Sequence, residues 1–223
     1  MTAPAAFILL GIALPGIALG GTQIYEPLAA EVRSGLQASI ADRPAPRHAF
    51  TNSAAAVNWL TEMSQRLQAK MPDFRSRVAF LRTVHFEAVR AGLDPQLVLA
   101  VIQVESSFRK YAVSRSGARG YMQVMPFWVG LVGQKSDNLF NLRTNLRYGC
   151  VILKFYLDLE KGNLYRALGR YNGSAGKADY ANLVLGAWRG LWYYQGKLAV
   201  VHDRRLQVAG QRLQAGKTAA IVV

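Results

Sequence analysis

One helix constrains this chain more than any other stretch, because it carries a carboxylate along an apolar face. In "DPQLVLAVIQVESSF", Asp94 followed by Pro95 gives a helix start, with a capping side chain and proline at the first helical position. Leu97, Val98, Val101, Ile102 and Val104 supply an apolar face, which Phe108 extends if helical spacing holds. Glu105 lies four residues after Val101 and three before Phe108, so it points along that face. Burial and the negative end of the helix dipole both disfavour its anion, which predicts a raised pKa. A raised pKa suits a general acid. A glutamate at a frayed helix end, turned to solvent or paired with Arg109, is the alternative.

The chain has 223 residues, room for one domain with extensions. Its 27 Lys and Arg against 13 Asp and Glu give a net charge of +14, which favours anionic partners. The positive residues are scattered, with no basic run of five, and no nucleic-acid-binding motif accompanies them. Cys150 is the single cysteine, so an intrachain disulfide framework is excluded. It sits among Val151, Ile152 and Leu153 as a buried small hydrophobe. His48, His85 and His202 are far apart, and "HFE" at His85 lacks the second histidine of a zinc helix. No metal and no other cofactor is expected.

Residues 1–20 contain an apolar run from Phe7 to Gly20, interrupted by Pro15, and read as a signal peptide or N-terminal anchor. Residues 21–53 combine a short helical segment, Tyr25 to Ile40, with the linker "ADRPAPRHAFTNS". A domain then spans 54–192, with helices between Ala54 and Ala91 separated near Met71-Pro72-Asp73. Further helical patterns run over Leu142–Leu159, around Leu164–Leu168 and over Tyr180–Trp192. The Ser- and Gly-rich stretch Ser114–Pro126 predicts loop or short strand. Residues 193–223 form a C-terminal extension. The fold class expected is mainly α, an α+β arrangement with a small loop or β element after the Glu105 helix.

Five motifs occur in one order: "ESSF" at Glu105, "AVS" ending at Ser114, "GARGYMQVMP" from Gly117, "NLRYG" from Asn145 and "RYNGS" from Arg170. Together they resemble the catalytic domain of soluble lytic transglycosylases, relatives of goose-type lysozyme, over roughly Ala91 to Trp188. The resemblance implies cleavage of the β-1,4 bond between N-acetylmuramic acid and N-acetylglucosamine in peptidoglycan, with formation of a 1,6-anhydro product. It makes Glu105 the sole general acid and base, and has Ser114 hydrogen-bond the glutamate or the substrate. Gln123 and Met125 would line the sugar groove, with Tyr171 and Asn172 as its opposite wall. "NLRYG" is a helix-packing signature in which Gly149 permits close approach. The sequence departs from the family pattern at Tyr121, Trp128 and "RYNGS"; Tyr121 and Trp128 suit either sugar stacking or core packing.

Glycosidases generally use two carboxylates. Asp94 is about 15 Å up the helix at 1.5 Å per residue. Asp137 reads as a cap for the next helix, and Asp158 and Glu160 as a solvated face. No second carboxylate is compelling, which suits a reaction whose nucleophile is the substrate's own C6 hydroxyl. The partner implied is the glycan strand of peptidoglycan, an anionic polymer suited to a cationic protein; nucleic acid is not expected. The location implied is the periplasm, with inner-membrane anchoring if the N-terminal segment is retained. A hydrolytic lysozyme-like muramidase and a non-catalytic peptidoglycan-binding assembly protein are the rival readings.

Overall fold

The computed structural model describes residues 23–41 and 54–195. The N-terminal apolar run, nearly all of the linker and most of the C-terminal extension lie outside them. Eight helices occur among the described residues: α1 (Ala30–Ile40), α2 (Ala54–Leu67), α3 (Phe74–Arg90), α4 (Pro95–Ser106), α5 (Phe127–Val132), α6 (Leu142–Leu159), α7 (Leu164–Asn172) and α8 (Asp179–Arg189). The fold is mainly α, as the sequence pattern predicts. None of these helices is long and apolar enough to cross a membrane.

Helix α4 is the centre of the molecule. The Asp94 carboxylate accepts from Gln96 N at 2.8 Å, and Pro95 opens the first turn. Residues Leu97 to Ile102 are all 3% exposed or less, so the helix is buried on every side rather than along one face. Each such Leu or Ile contributes about 1.5–3 kcal/mol by leaving water. Helices α3 and α8 flank it, α6 packs on α3, and α7 bridges α6 and α8. The helix stops earlier than an extension to Phe108 requires. Ser107 and Phe108 both take left-handed backbone, at φ 48° and 64°. The turn still buries Phe108, whose ring lies 6.0 Å from that of Phe80 and 5.5 Å from that of Trp192.

The earlier helices dock on this centre. At the break expected near Met71-Pro72-Asp73, Arg77 donates to Ser64 Oγ and to the carbonyls of Met71 and Pro72. Asp73 caps α3 by accepting from Ser76 N. Glu87, fully buried on α3, pairs with Arg90 at 2.8 Å and with Arg143 of α6 at 3.3 Å. Helix α1 packs on α5 and α6. The end of α8 and the turn after it are tied to α4: Trp188 Nε1 of α8 donates to Asp94 at 3.0 Å, and Trp192 Nε1, just beyond, to Gln103 Oε1 at 2.7 Å.

Two acidic residues differ from expectation. Asn141, not Asp137, caps α6, accepting from Thr144 N at 3.2 Å. Asp137 instead accepts from the Tyr148 phenol at 2.5 Å and from Gln134 N at 3.0 Å, closing the preceding turn. Asp158 is exposed and pairs with Lys154, as a solvated face implies. Glu160, by contrast, ends α6 with its side chain 6% exposed, held between Arg166 and Arg170.

His85 adds a pH dependence. It is buried on α3 with its ring 5.1 Å from that of Trp59, and desolvation pushes its pKa down to about 4. Unfolding returns it to about 6.5, so between these values the unfolded chain binds the extra proton and stability falls as pH falls. We expect urea unfolding to show a loss of up to about 3 kcal/mol from pH 7 to pH 4, and His85→Leu to flatten that slope.

Candidate active site

Glu105 lies in the last turn of α4 with 1% of its surface exposed. Tyr180, in the first turn of α8, donates its phenol to Glu105 Oε1 at 2.6 Å. Burial, foremost, and the neighbouring Glu105 charge hold the Tyr180 phenol well above its ordinary range, so at neutral pH it remains a proton donor to the carboxyl. Tyr171, fully buried on α7, is held in the same direction by burial first and by Glu105 second. The helix end therefore does not turn Glu105 to solvent. Arg109, its alternative partner, donates to the Ser106 carbonyl at 3.0 Å.

The loop after α4 forms the second part of the site. Two isolated antiparallel bridges, Val113 with Arg119 and Arg119 with Val124, make the small β element expected there. Within it, Gln123 takes left-handed backbone at φ 50°, a conformation that disfavours residues with a Cβ. Its amide offsets that cost by donating to the carbonyls of Ala112 at 3.1 Å and Gly120 at 2.8 Å. Gln123 Oε1 is buried and receives no hydrogen bond from the described residues. Ser114 is part-buried; its hydroxyl accepts from Ala118 N at 3.1 Å and pairs with Ser116 Oγ at 3.1 Å, which organises its own loop.

Asn145, in the first turns of α6, clamps the loop from behind. It accepts from Met122 N at 2.8 Å and donates to the carbonyls of Arg119 at 2.9 Å and Leu139 at 2.8 Å. One turn on, a Cβ at Gly149 would stand 2.7 Å from Met122 Cβ, so glycine is what lets α6 approach the loop. Gly120, at φ +76°, is equally closed in: a Cβ there would meet the Leu139 carbonyl at 2.6 Å. "NLRYG" is thus a packing signature, with Asn145 as a direct brace of the loop.

Tyr171 and Asn172 end α7. Tyr171 is 0% exposed and donates to the Met122 carbonyl at 2.8 Å, so it supports the loop from beneath instead of offering its ring as a groove wall. Asn172 is half-buried beside it, at the last turn before Gly173. Met125 is half-buried, and its N–H donates to the side chain of Gln23 at 3.3 Å. Tyr121 and Trp128, which sequence left between sugar stacking and packing, both join the core at 7% and 2% exposure. Tyr180 and Gln23 carry no motif signal: a tyrosine opening an amphipathic helix and a glutamine before a linker look ordinary.

Comparison with known proteins bears on the same residues. Residues 82–183 match the model of the transglycosylase SLT domain. The match takes in the end of α3, all of α4 to α7 and the first part of α8, the elements that enclose Glu105. The chain is 36% identical over 113 residues to the membrane-bound lytic murein transglycosylase C of Yersinia pestis (strain Pestoides F), and equally to that of Yersinia pseudotuberculosis serotype O:1b (strain IP 31758). Each alignment covers 44% of this chain and 32% of the relative, so the chain spans about a third of the length of these relatives.

Asn145→Ala would leave the Met122 N–H and the Leu139 carbonyl without a partner in the interior and would remove one of the two donors to the Arg119 carbonyl. We expect it to cost about 3 kcal/mol in denaturant unfolding, more than one ordinary hydrogen bond, because buried polar groups lose their partners outright.

Proposed function

We propose that the chain is a peptidoglycan lytic transglycosylase in which Glu105 is both general acid and general base. The observation that carries this reading is the buried Glu105 carboxyl, anchored by Tyr180 inside an SLT-family domain. The names of the relatives, which are murein transglycosylases, support it.

Glu105 donates its proton to the glycosidic oxygen between N-acetylmuramic acid and N-acetylglucosamine, and the bond from C1 to that oxygen breaks. The resulting carboxylate takes the proton of the muramic C6 hydroxyl as its oxygen bonds to C1. The anhydro product forms, Glu105 recovers its proton and no water is consumed. Tyr180 fixes one carboxyl oxygen of Glu105. Gln123 Oε1 is an acceptor available to a sugar hydroxyl or amide, Met125 and Asn172 form groove surface, and Ser114 shapes the adjoining loop.

The acid inventory favours this route over hydrolysis. Among the described residues Glu87 is fully buried and committed to Arg90 and Arg143, and the nearly covered Glu160 side chain is committed to Arg166 and Arg170. Asp94 caps α4 and accepts from Trp188, and Asp137 holds Tyr148. None of these is positioned by its contacts to activate water for Glu105. The net charge of +14 suits an anionic wall polymer, with a location in the cell envelope, periplasmic if the N-terminal apolar run directs export.

Glu105→Gln keeps the shape of the side chain and removes its acid. The expected loss is about 10²–10⁴-fold or more in the rate of peptidoglycan clearing, with the unfolding midpoint preserved. Undiminished clearing by that variant would overturn the assignment. Tyr180→Phe removes the donor that holds Glu105 Oε1. The maximum rate of peptidoglycan clearing should fall about tenfold while the unfolding midpoint changes little.

A further inference from the structure

The segment before α1 lies outside the family match, yet it reaches the centre of the candidate site. Gln23 is 4% exposed, although the residues after it, Ile24 and Tyr25, are more than half exposed. Its Oε1 accepts from Trp128 Nε1 at 2.9 Å and from Met125 N at 3.3 Å, contacts spanning more than a hundred residues of sequence. The Tyr171 phenol donates to the Met122 carbonyl at 2.8 Å, at the other end of the same span. Two further contacts hold the segment down. Tyr25 meets Phe127 edge-on with centroids 5.6 Å apart, and Glu26 lies 3.7 Å from Arg170.

Gln23 therefore holds the Met125–Trp128 end of the span from Met122 to Trp128, while Tyr171 holds its Met122 end. This span carries Gln123 and Met125, the residues proposed to meet the glycan. A primary amide suits the position because its oxygen accepts two hydrogen bonds at once. An apolar side chain of the same length would leave the Met125 N–H and the Trp128 indole N–H short of a partner in a nearly closed site.

We infer that Gln23 is a positioning residue for glycan binding: the N-terminal strap acts as a structural part of the groove, setting the height of the Met122–Trp128 span against Glu105. The inference rests on the lytic transglycosylase reading and adds to it a residue outside the catalytic domain. Loss of the brace lets the span relax away from the sugar, which weakens substrate binding more than the proton transfer at Glu105.

The test uses the full chain and soluble peptidoglycan glycan strands, comparing wild type with Gln23→Met and Gln23→Glu. Gln23→Met should raise KM about tenfold while kcat changes much less, as expected when a binding surface is displaced but the acid is not. Gln23→Glu keeps acceptors for Met125 and Trp128 and should recover most of the wild-type KM. An unchanged KM in Gln23→Met, with wild type active, overturns the inference and leaves the enzymatic reading standing. A fall in kcat alone, matching the loss of folded protein, overturns it equally by showing a purely structural role. Absence of cleavage by wild type removes the enzymatic reading and this inference together.

Discussion

The contact on which this architecture turns is the hydrogen bond from the Tyr180 phenol to the Glu105 carboxyl. A carboxyl at 1% exposure in a protein interior is costly unless its oxygens are held and its charge is controlled. The contact joins α4 to α8, elements 75 residues apart in sequence, so it exists only when the whole helical assembly has formed. Most other features follow from it: an apolar α4 that keeps the group out of bulk water, and an αL turn that ends the helix just beyond it. A loop braced from three sides completes the arrangement.

That bracing explains why so many small or polar residues are buried around the span Gly120–Trp128. Backbone at a positive φ and carbonyls exposed inside a turn need partners, and α6, α7 and the N-terminal strap each send one. Asn145 reaches from α6, Tyr171 from α7 and Gln23 from the strap. Gly149 clears the space that makes the α6 approach possible. The result is a rigid surface beside an acid, in keeping with sites whose geometry is set by the layer behind them.

Much of this was legible in sequence where local chemistry decides. Asp94-Pro95 marked the start of α4, the Met71–Asp73 break separated α2 from α3, and the period of α6 gave Leu142–Leu159 at both ends. The order of the short motifs pointed to the lytic transglycosylase family, and helical spacing from Val101 placed Glu105 on the inward face of its helix. What was not legible depends on distant parts of the chain. Phe108 appeared to continue the helix because its spacing fits, but two left-handed residues bury it by another route. Asp137 resembled a cap, yet Asn141 stands nearer the helix start and Tyr148 claims the aspartate. Tyr171 looked like a groove wall from its motif, while its burial makes it a support. Tyr180 and Gln23 become notable only once folding sets them against Glu105 and Met125.

In the proposed reaction one buried carboxyl does the work of two, because the substrate supplies its own nucleophile. Mass spectrometry of the soluble fragments released from purified peptidoglycan reads that chemistry. Muramic ends are expected in the 1,6-anhydro form, lighter than hydrolysed ends by one water. Reducing muramic ends would contradict that reaction, showing that water is the nucleophile and that a second group activates it.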